Sequence, residues 1–451
     1  MRRARGPCRG SRELRGRGRS RRATHPAPPN SGVRVRPVRL PAALPTPGVT
    51  GIPGVPCSRG TLSHLCATMS TDPRSRAWVE VNPLALCRNL ERIREAVGRG
   101  VRVAPLVKAD AYGVGLEAAV GALEPAGPWG YGVATVPEGI RVRATGVTRP
   151  VLVLSPAPPG VAGDAVASRL TLCVSDLQSV RELVEAADRL GTDAAFHLEV
   201  DTGMGRSGFD WRSVAEWGPE VEKLAHGHVR WEGMFTHFHS ADEPDPGSLG
   251  VQGARFDGVV KALGGLGGSG RLLHLSNSAA ALRRPDLARA LVRPGIFLYG
   301  GRAGHGLPTP EPVVAVRARV VLVRDVPGGT TLGYGATYSS SRVERWATVG
   351  IGYGDGLPRA LGNRGAALVA GVRVPIIGRI SMDLTVVDIT DLPSRRIEVG
   401  TEVTLIGADG GEQISLDEVA ADAGTISYEI LTGLTSRLPR ILAEPIPGEG
   451  G

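Results

Sequence analysis

Residues 170–200 read LTLCVSDLQSVRELVEAADRLGTDAAFHLEV, and their reading decides the fold class. The run 170–174 is short, largely apolar and bounded, as a buried strand would be. From Ser175 to Leu190, Leu177, Val180, Leu183, Val184 and Ala187 fall on one helical face, with Ser175 as the expected N-cap and Gly191 as the stop. A second apolar run follows at 194–200. Strand, helix and strand thus succeed one another within thirty-one residues. Working outward, comparable runs lie near 101–107, 130–135, 150–155, 230–236, 271–276 and 291–299, with helical spacing between them. Eight strands alternating with helices over roughly 200 residues indicate an α/β fold of the (β/α)8 TIM-barrel type, whose chemistry gathers at the C-terminal strand ends. An open doubly wound sheet is the competing arrangement, but no G-x-G-x-x-G follows an early strand.

The texture changes near Glu311. Val316, Ala318, Val320 and Leu322 alternate with polar residues, Pro327-Gly328-Gly329 makes a turn, and Val/Ile-rich runs follow near 347–351, 366–377, 384–389 and 399–406. This predicts a second, mostly β domain, interrupted by one helix that the capping box Ser415-x-x-Glu418 opens. The expected organisation is a leader over 1–68, a barrel over 69–310, a β domain over 311–441 and a tail over 442–451. The strand at 76–82 is open to either unit.

The basic balance belongs to the leader. Residues 1–68 hold 14 Arg, no Lys and one Glu, a charge of +13, which against the +9 of the whole chain leaves −4 for the rest. Such a Pro/Gly/Arg-rich, aromatic-poor segment buries too little apolar surface to fold and is expected to be disordered. It resembles a transit peptide or nucleic-acid arm in composition. The blander alternative is a start assigned upstream of Met69, and that is the expectation here. Cys87 and Cys173, the two cysteines beyond the leader, are isolated, so neither a disulfide framework nor a zinc site is indicated and a reducing cytoplasm is expected. No run of 18 apolar residues suggests a membrane span.

Only three lysines occur in the 451 residues, Lys108, Lys223 and Lys261, while arginine supplies the other cations. A lysine retained where arginine is otherwise used points to an amine that can lose its proton and form a Schiff base, which a guanidinium cannot do. Lys108 closes the apolar run 101–107 and precedes a turn at Tyr112-Gly113, a place suited to a carbonyl or pyridoxal phosphate site; the bland alternative is a surface lysine after a strand. Further signals stand at other strand ends. Asp201-Thr202-Gly203-Met204-Gly205-Arg206 combines glycines that let backbone approach a ligand with an arginine that can meet an anionic oxygen. Thr236-His237-Phe238-His239, His274-Leu275-Ser276-Asn277-Ser278 and Val292-Arg293-Pro294-Gly295-Ile296 follow strands six, seven and eight, and the last two suit phosphate. The H-x-H of His237 and His239 lacks a companion cluster, so no metal is expected.

Taken together, V-K-A-D-A-Y-G, D-T-G-M-G-R, T-H-F, S-N-S-A-A, V-R-P-G-I-x-L-Y-G, G-Y-G-A-T-Y, G-Y-G-D-G and G-R-I-S-M-D, in this order over about residues 75–441, resemble the alanine racemases. That family joins an N-terminal α/β barrel to a C-terminal β domain and uses pyridoxal 5'-phosphate. The resemblance implies that Lys108 binds the cofactor covalently and acts as one of two bases, with Tyr334 from the partner subunit of a homodimer as the other. It implies phosphate contacts from Tyr112, Ser278, Gly295, Ile296 and Tyr428, with Asn277 beside them. Arg293 is expected at the pyridine nitrogen with His237 in support, and Arg206 at the phenolic oxygen. Arg206 and the Met382 backbone would take the substrate carboxylate, and Tyr353 would narrow the entrance. Two bases on opposite faces of Cα suffice for racemisation. Free lysine (about 10.4) and tyrosine (about 10) titrate too high for neutral pH, so burial and neighbouring cations must lower them.

One departure stands out. Seven residues before Arg206, where many relatives carry a carbamylated lysine, this chain has Glu199. Its carboxylate is expected either to hold Arg206 or to face solvent. Val114, where relatives often have histidine, carries no implied loss. The expected activity is interconversion of L- and D-alanine for peptidoglycan, with no nucleic-acid or membrane partner. A racemase of broader specificity and a related decarboxylase are the nearest rivals, and a cofactor-binding protein without activity would be expected to end after the barrel.

Overall fold

The computed structural model describes residues 72–245, 247–264, 270–392 and 397–443. The leader, and with it the expectation of disorder, lies outside the described residues.

Every strand expected in the barrel forms, at Arg102–Val103, Tyr131–Val133, Val151–Val153, Thr171–Val174, Ala194–Asp201, Val229–Phe235, Leu272–His274 and Leu291–Val292. Strands two to seven pair in parallel, in chain order. Strand eight pairs with strand one, and isolated parallel bridges Leu106–Gly132 and Asn277–Arg293 join that pair to the rest. The curled sheet therefore closes. Several expected runs are shorter than the sequence suggested. Pro105 and Pro294 offer no N–H to a ladder, and beyond Pro294 the chain turns into a short 3-10 segment, Ile296–Tyr299, in place of a longer strand.

The helix after strand four spans Leu177–Leu190 and stops at Gly191, which is left-handed. Its N-cap is Asp176 rather than Ser175: the Asp176 carboxylate accepts from Ser179 N–H at 2.7 Å. The Ser175 hydroxyl is turned to Glu199 instead, at 3.1 Å.

The second domain is a nine-stranded, mostly antiparallel sheet. Val314–Val326 is its long spine, pairing with Glu344–Val349, with Glu402–Asp409 and with Ala77–Val81. The early strand, open to either unit in the sequence, thus belongs here, tied also to Arg440–Leu442. The apparent single run 366–377 is a hairpin of Ala366–Val369 and Val372–Ile377. Its turn residues Ala370 and Gly371 both have positive φ, 51° and 78°, which matches the twist of paired strands. Ser415 does cap the helix Leu416–Ala423, but Glu418 turns away to bond Arg373, so the box is only half formed. Among the described residues no helix is long and apolar enough to cross a membrane.

Candidate active site

Lys108 begins a single turn, Lys108–Tyr112, at the end of the first barrel strand. Ala109, Asp110, Ala111 and Tyr112 all sit in the left-handed region, with φ between 52° and 57°. The turn ends at Gly113 (φ 78°), where a Cβ would lie 2.1 Å from the Leu431 carbonyl oxygen, so only glycine permits this approach of the C-terminal domain. Lys108 is partly buried, and burial, Arg206 and Arg293 together lower its pKa against an opposing pull from Glu138. Burial, Arg293, Arg206 and Lys108 push His237 down to about 3. Lys108, Arg206, His237 and Arg293, read separately from the sequence, are thus brought into one electrostatic neighbourhood, and the imidazole there is neutral.

Beside it lies a cradle. Gly295 N–H donates to Ser278 Oγ at 2.8 Å, and a Cβ on Gly295 would fall 2.1 Å from the Tyr112 hydroxyl. Tyr112 stacks on Tyr299 at 4.8 Å and lies 6.0 Å from the Tyr428 ring. Burial raises both the Tyr112 and Tyr428 phenols, the latter to about 12, so they remain donors. Ile296 follows in the same turn. Asn277 stands at its edge, with its side-chain oxygen spent on capping the helix Ser278–Arg283.

Arg293 is almost fully buried. One terminal nitrogen donates to His274 Nδ1 at 2.6 Å and to the His274 carbonyl at 2.9 Å. The other reaches the carbonyls of Thr236 (3.0 Å) and Leu275 (3.3 Å). Of five guanidinium donors, Nε–H remains without a hydrogen-bond partner among the described residues. Burial holds the Arg293 pKa down to about 10, still charged at neutrality.

The sequence reading missed what stands behind Arg293. Because arginine only donates, His274 Nδ1 must accept, and its Nε2–H then points to His197 Nδ1, 2.6 Å away. His197 in turn directs Nε2 toward Glu232, 3.5 Å off, too long for a hydrogen bond. Both imidazoles are completely buried, and burial first, then Arg293, pushes His274 well below its usual pKa. A neutral column therefore crosses the barrel and fixes the arginine. His274 and His197 each lie in strands whose sequence pattern reads as apolar, and nothing in their spacing signals the pairing.

Glu199 is also buried. It neither faces solvent nor bonds Arg206: Ser175 is its hydrogen-bond donor, and its charge acts on Arg293. The exposed Arg206 guanidinium has no hydrogen-bond or ion-pair partner among the described residues.

Tyr334, Tyr353 and Met382 lie on the β domain, exposed by 68 %, 41 % and 53 %. Gly333 (φ 68°) and Gly335 (φ 74°) flank Tyr334 against Arg379. Tyr353 N–H donates to Ser381 O at 3.0 Å and Gly354 N–H to Met382 O at 2.8 Å. The loop of Tyr353 is thus stitched to that of Met382. Within the chain, however, Tyr334 is not among the groups that act on Lys108.

Asp355 braces this loop. Its fully buried carboxylate accepts from both Arg76 terminal nitrogens and from Gly352 N–H (3.0 Å), with Arg437 Nε at 3.3 Å. Burial alone would raise its pKa, but Arg76, Gly352 and Arg437 outweigh that and hold it low. A depressed carboxyl stabilises the fold above its unfolded pKa, about 3.9, and that contribution vanishes as pH falls through the folded value. Asp355→Asn is therefore expected to cost about 3 kcal/mol near neutrality and to flatten the acid limb of thermal midpoint against pH. Equal midpoints for variant and parent at pH 7 would show that the cluster does not support the loop.

A parallel barrel with a pKa-depressed lysine at a strand end beside a phenol-and-amide cradle, and with Tyr428 and Leu431 of the β domain packed on the lysine's turn, defines a class of two-domain barrel proteins. The model of the alanine racemase N-terminal domain matches residues 81–303, and that of the C-terminal domain matches residues 313–442. Alanine racemase 2 of Caldanaerobacter subterraneus subsp. tengcongensis is 38% identical over 367 residues, spanning 80% of this chain and 94% of that protein. The solved alanine racemase of Streptomyces coelicolor A3(2) superposes with a TM-score of 0.77 at 34% identity, covering 83% of this chain and all of that one. The Bartonella henselae alanine racemase, solved with covalently bound pyridoxal phosphate, superposes at 0.74 with 28% identity, covering 82% of this chain and 100% of that one. The chain belongs to the alanine racemase family, enzymes that isomerise an amino acid.

Proposed function

We propose that this chain interconverts L- and D-alanine with pyridoxal 5'-phosphate bound covalently at Lys108, working as a cytoplasmic homodimer whose D-alanine serves peptidoglycan. The observation that carries the reading is the Lys108 amine, its pKa lowered between Arg206 and Arg293, next to the cradle of Tyr112, Ser278 and Gly295. The residues fit the cofactor. Tyr112, Ser278, Gly295, Ile296 and Tyr428 would hold its phosphate, with Asn277 capping the helix behind. The free Nε–H of Arg293 suits a ring nitrogen that only accepts, and neutral His237 adds no competing charge. Arg206, unpaired and exposed, suits the phenolic oxygen and the substrate carboxylate. When bound, the cofactor supplies the electron sink that acidifies the substrate Cα–H.

The chain's own residues supply the rest. Lys108 takes or returns the proton on one face of Cα, and the partner subunit's Tyr334 serves the other. The exposure of Tyr334 in a single chain supports its use across an interface. Arg293, a cation rather than a carboxylate, would transfer no proton to the ring nitrogen of a bound cofactor, a choice that favours racemisation over side reactions. Tyr353, beside Tyr334, narrows the entrance to a small side chain, and the Met382 backbone N–H joins Arg206 in taking the substrate carboxylate. Incubation of the purified protein with L-alanine, followed by chiral detection of D-alanine with other L-amino acids in parallel, tests the reading. Faster turnover of a larger amino acid than of alanine would redirect it to a broader racemase.

A further inference from the structure

Glu138 is the third residue of the helix Val136–Ala144, whose N-cap is Thr135. In a capping box the glutamate returns to the N-cap N–H, and one oxygen here does so twice over, accepting from Thr135 N–H at 3.1 Å and Ala134 N–H at 2.8 Å. The other oxygen leaves the helix altogether. It accepts from Ala109 N–H at 2.8 Å, the peptide that joins Lys108 to the left-handed turn. That turn is costly, since a non-glycine residue in this region loses about 1 kcal/mol or more and four follow in succession. Something must hold it. At the amine itself, Arg206 and Arg293 face Lys108 as cations and His237 as a neutral ring, while Glu138 is the carboxylate whose charge acts in the opposite sense.

We infer that Glu138 is a positioning residue for Lys108: it clamps the Lys108–Ala109 peptide into the left-handed turn and opposes Arg206 and Arg293 at the amine. The inference rests on Lys108 being the reactive amine. A glutamine could not substitute, because its NH2 would meet one of the three backbone N–H donors. Loss of the carboxylate should leave Lys108 under two unopposed cations, its amine deprotonating at still lower pH, and should free the Ala109 amide.

The scarcity of lysine makes this measurable without turnover. The full-length chain, cleared of bound carbonyl compounds with hydroxylamine, is labelled with trinitrobenzenesulfonate across pH, and the peptides holding Lys108, Lys223 and Lys261 are quantified separately. In the parent, Lys108 should reach half-labelling at lower pH than the other two, which are exposed at helix ends. In Glu138→Gln the Lys108 midpoint should fall by about one further pH unit, a tenfold gain in labelling below both midpoints, and amide exchange over 108–112 should quicken. Glu138→Asp, keeping charge but not reach, should hold the midpoint and still quicken exchange. Thr135→Ala, which removes the cap alone, should change neither. Parental midpoint and exchange in Glu138→Gln would overturn the inference and leave Lys108 as the reactive amine. A parental Lys108 titrating together with Lys223 and Lys261 would instead overturn that underlying reading.

Discussion

Lys108→Ala is expected to abolish covalent cofactor binding and to lower racemisation by ~10⁴-fold or more, since it removes an acid–base group together with the covalent anchor. Borohydride treatment of the parent should fix the cofactor on the peptide containing Lys108. The two other lysines are poor rivals on structural grounds. Lys223 and Lys261 lie exposed in the last turns of the helices Val214–Leu224 and Gly247–Ala262, away from the strand ends where Arg206, His237 and Arg293 converge. Cofactor recovered on either of those peptides would remove Lys108 from the chemistry, and undiminished racemisation by the alanine variant would do so more directly.

Tyr334→Phe should retain the cofactor and lose racemisation in both directions, because one face of Cα then has no proton donor. A drop of roughly 10²–10⁴-fold is the scale such a group supplies. In deuterated water this variant should still exchange the α-hydrogen of D-alanine slowly, with retained configuration, through Lys108. A second consequence concerns the assembly. If the partner subunit's Tyr334 completes each site, mixing inactive Lys108→Ala and Tyr334→Phe chains should restore activity. In each heterodimer one site receives both substitutions and the other neither, so random pairing would return about a quarter of parental specific activity, as for a freely exchanging twofold dimer. No recovery despite proven exchange would put both bases on one chain, and a Tyr334→Phe dimer racemising at the parental rate would exclude the phenol.

The Glu138 contact and the histidine column hold two cationic residues of the candidate site, Lys108 and Arg293, by different means. Lys108 is held by a strained turn that a capping glutamate ties down. Arg293 is locked by neutral acceptors, which leaves its full charge and one donor for use. The Asp355 cluster does for the Tyr353–Met382 loops what those two do inside the barrel.

Much of this protein is legible in its sequence. The alternation of apolar runs and helical faces determined the barrel, because a strand buried on both faces and a helix with one apolar stripe each carry a local period. Lys108 stood out through the near absence of lysine, and Arg206, His237, Ser278 and Arg293 through their places at strand ends. Strand lengths were overestimated where proline withholds its N–H, and the cap at Asp176 was misplaced by one residue because serine and aspartate cap equally well. Membership of Ala77–Val81 in the β sheet was beyond local reading, since it depends on pairing with Val314–Val326, more than two hundred residues away. Only the tertiary structure decided that Glu199 turns to Ser175, that His274 and His197 form a neutral column, and that Glu138 reaches Ala109. Each is a contact between residues distant in sequence. A buried polar group takes whatever partner the fold presents, and no periodicity along the chain records that choice.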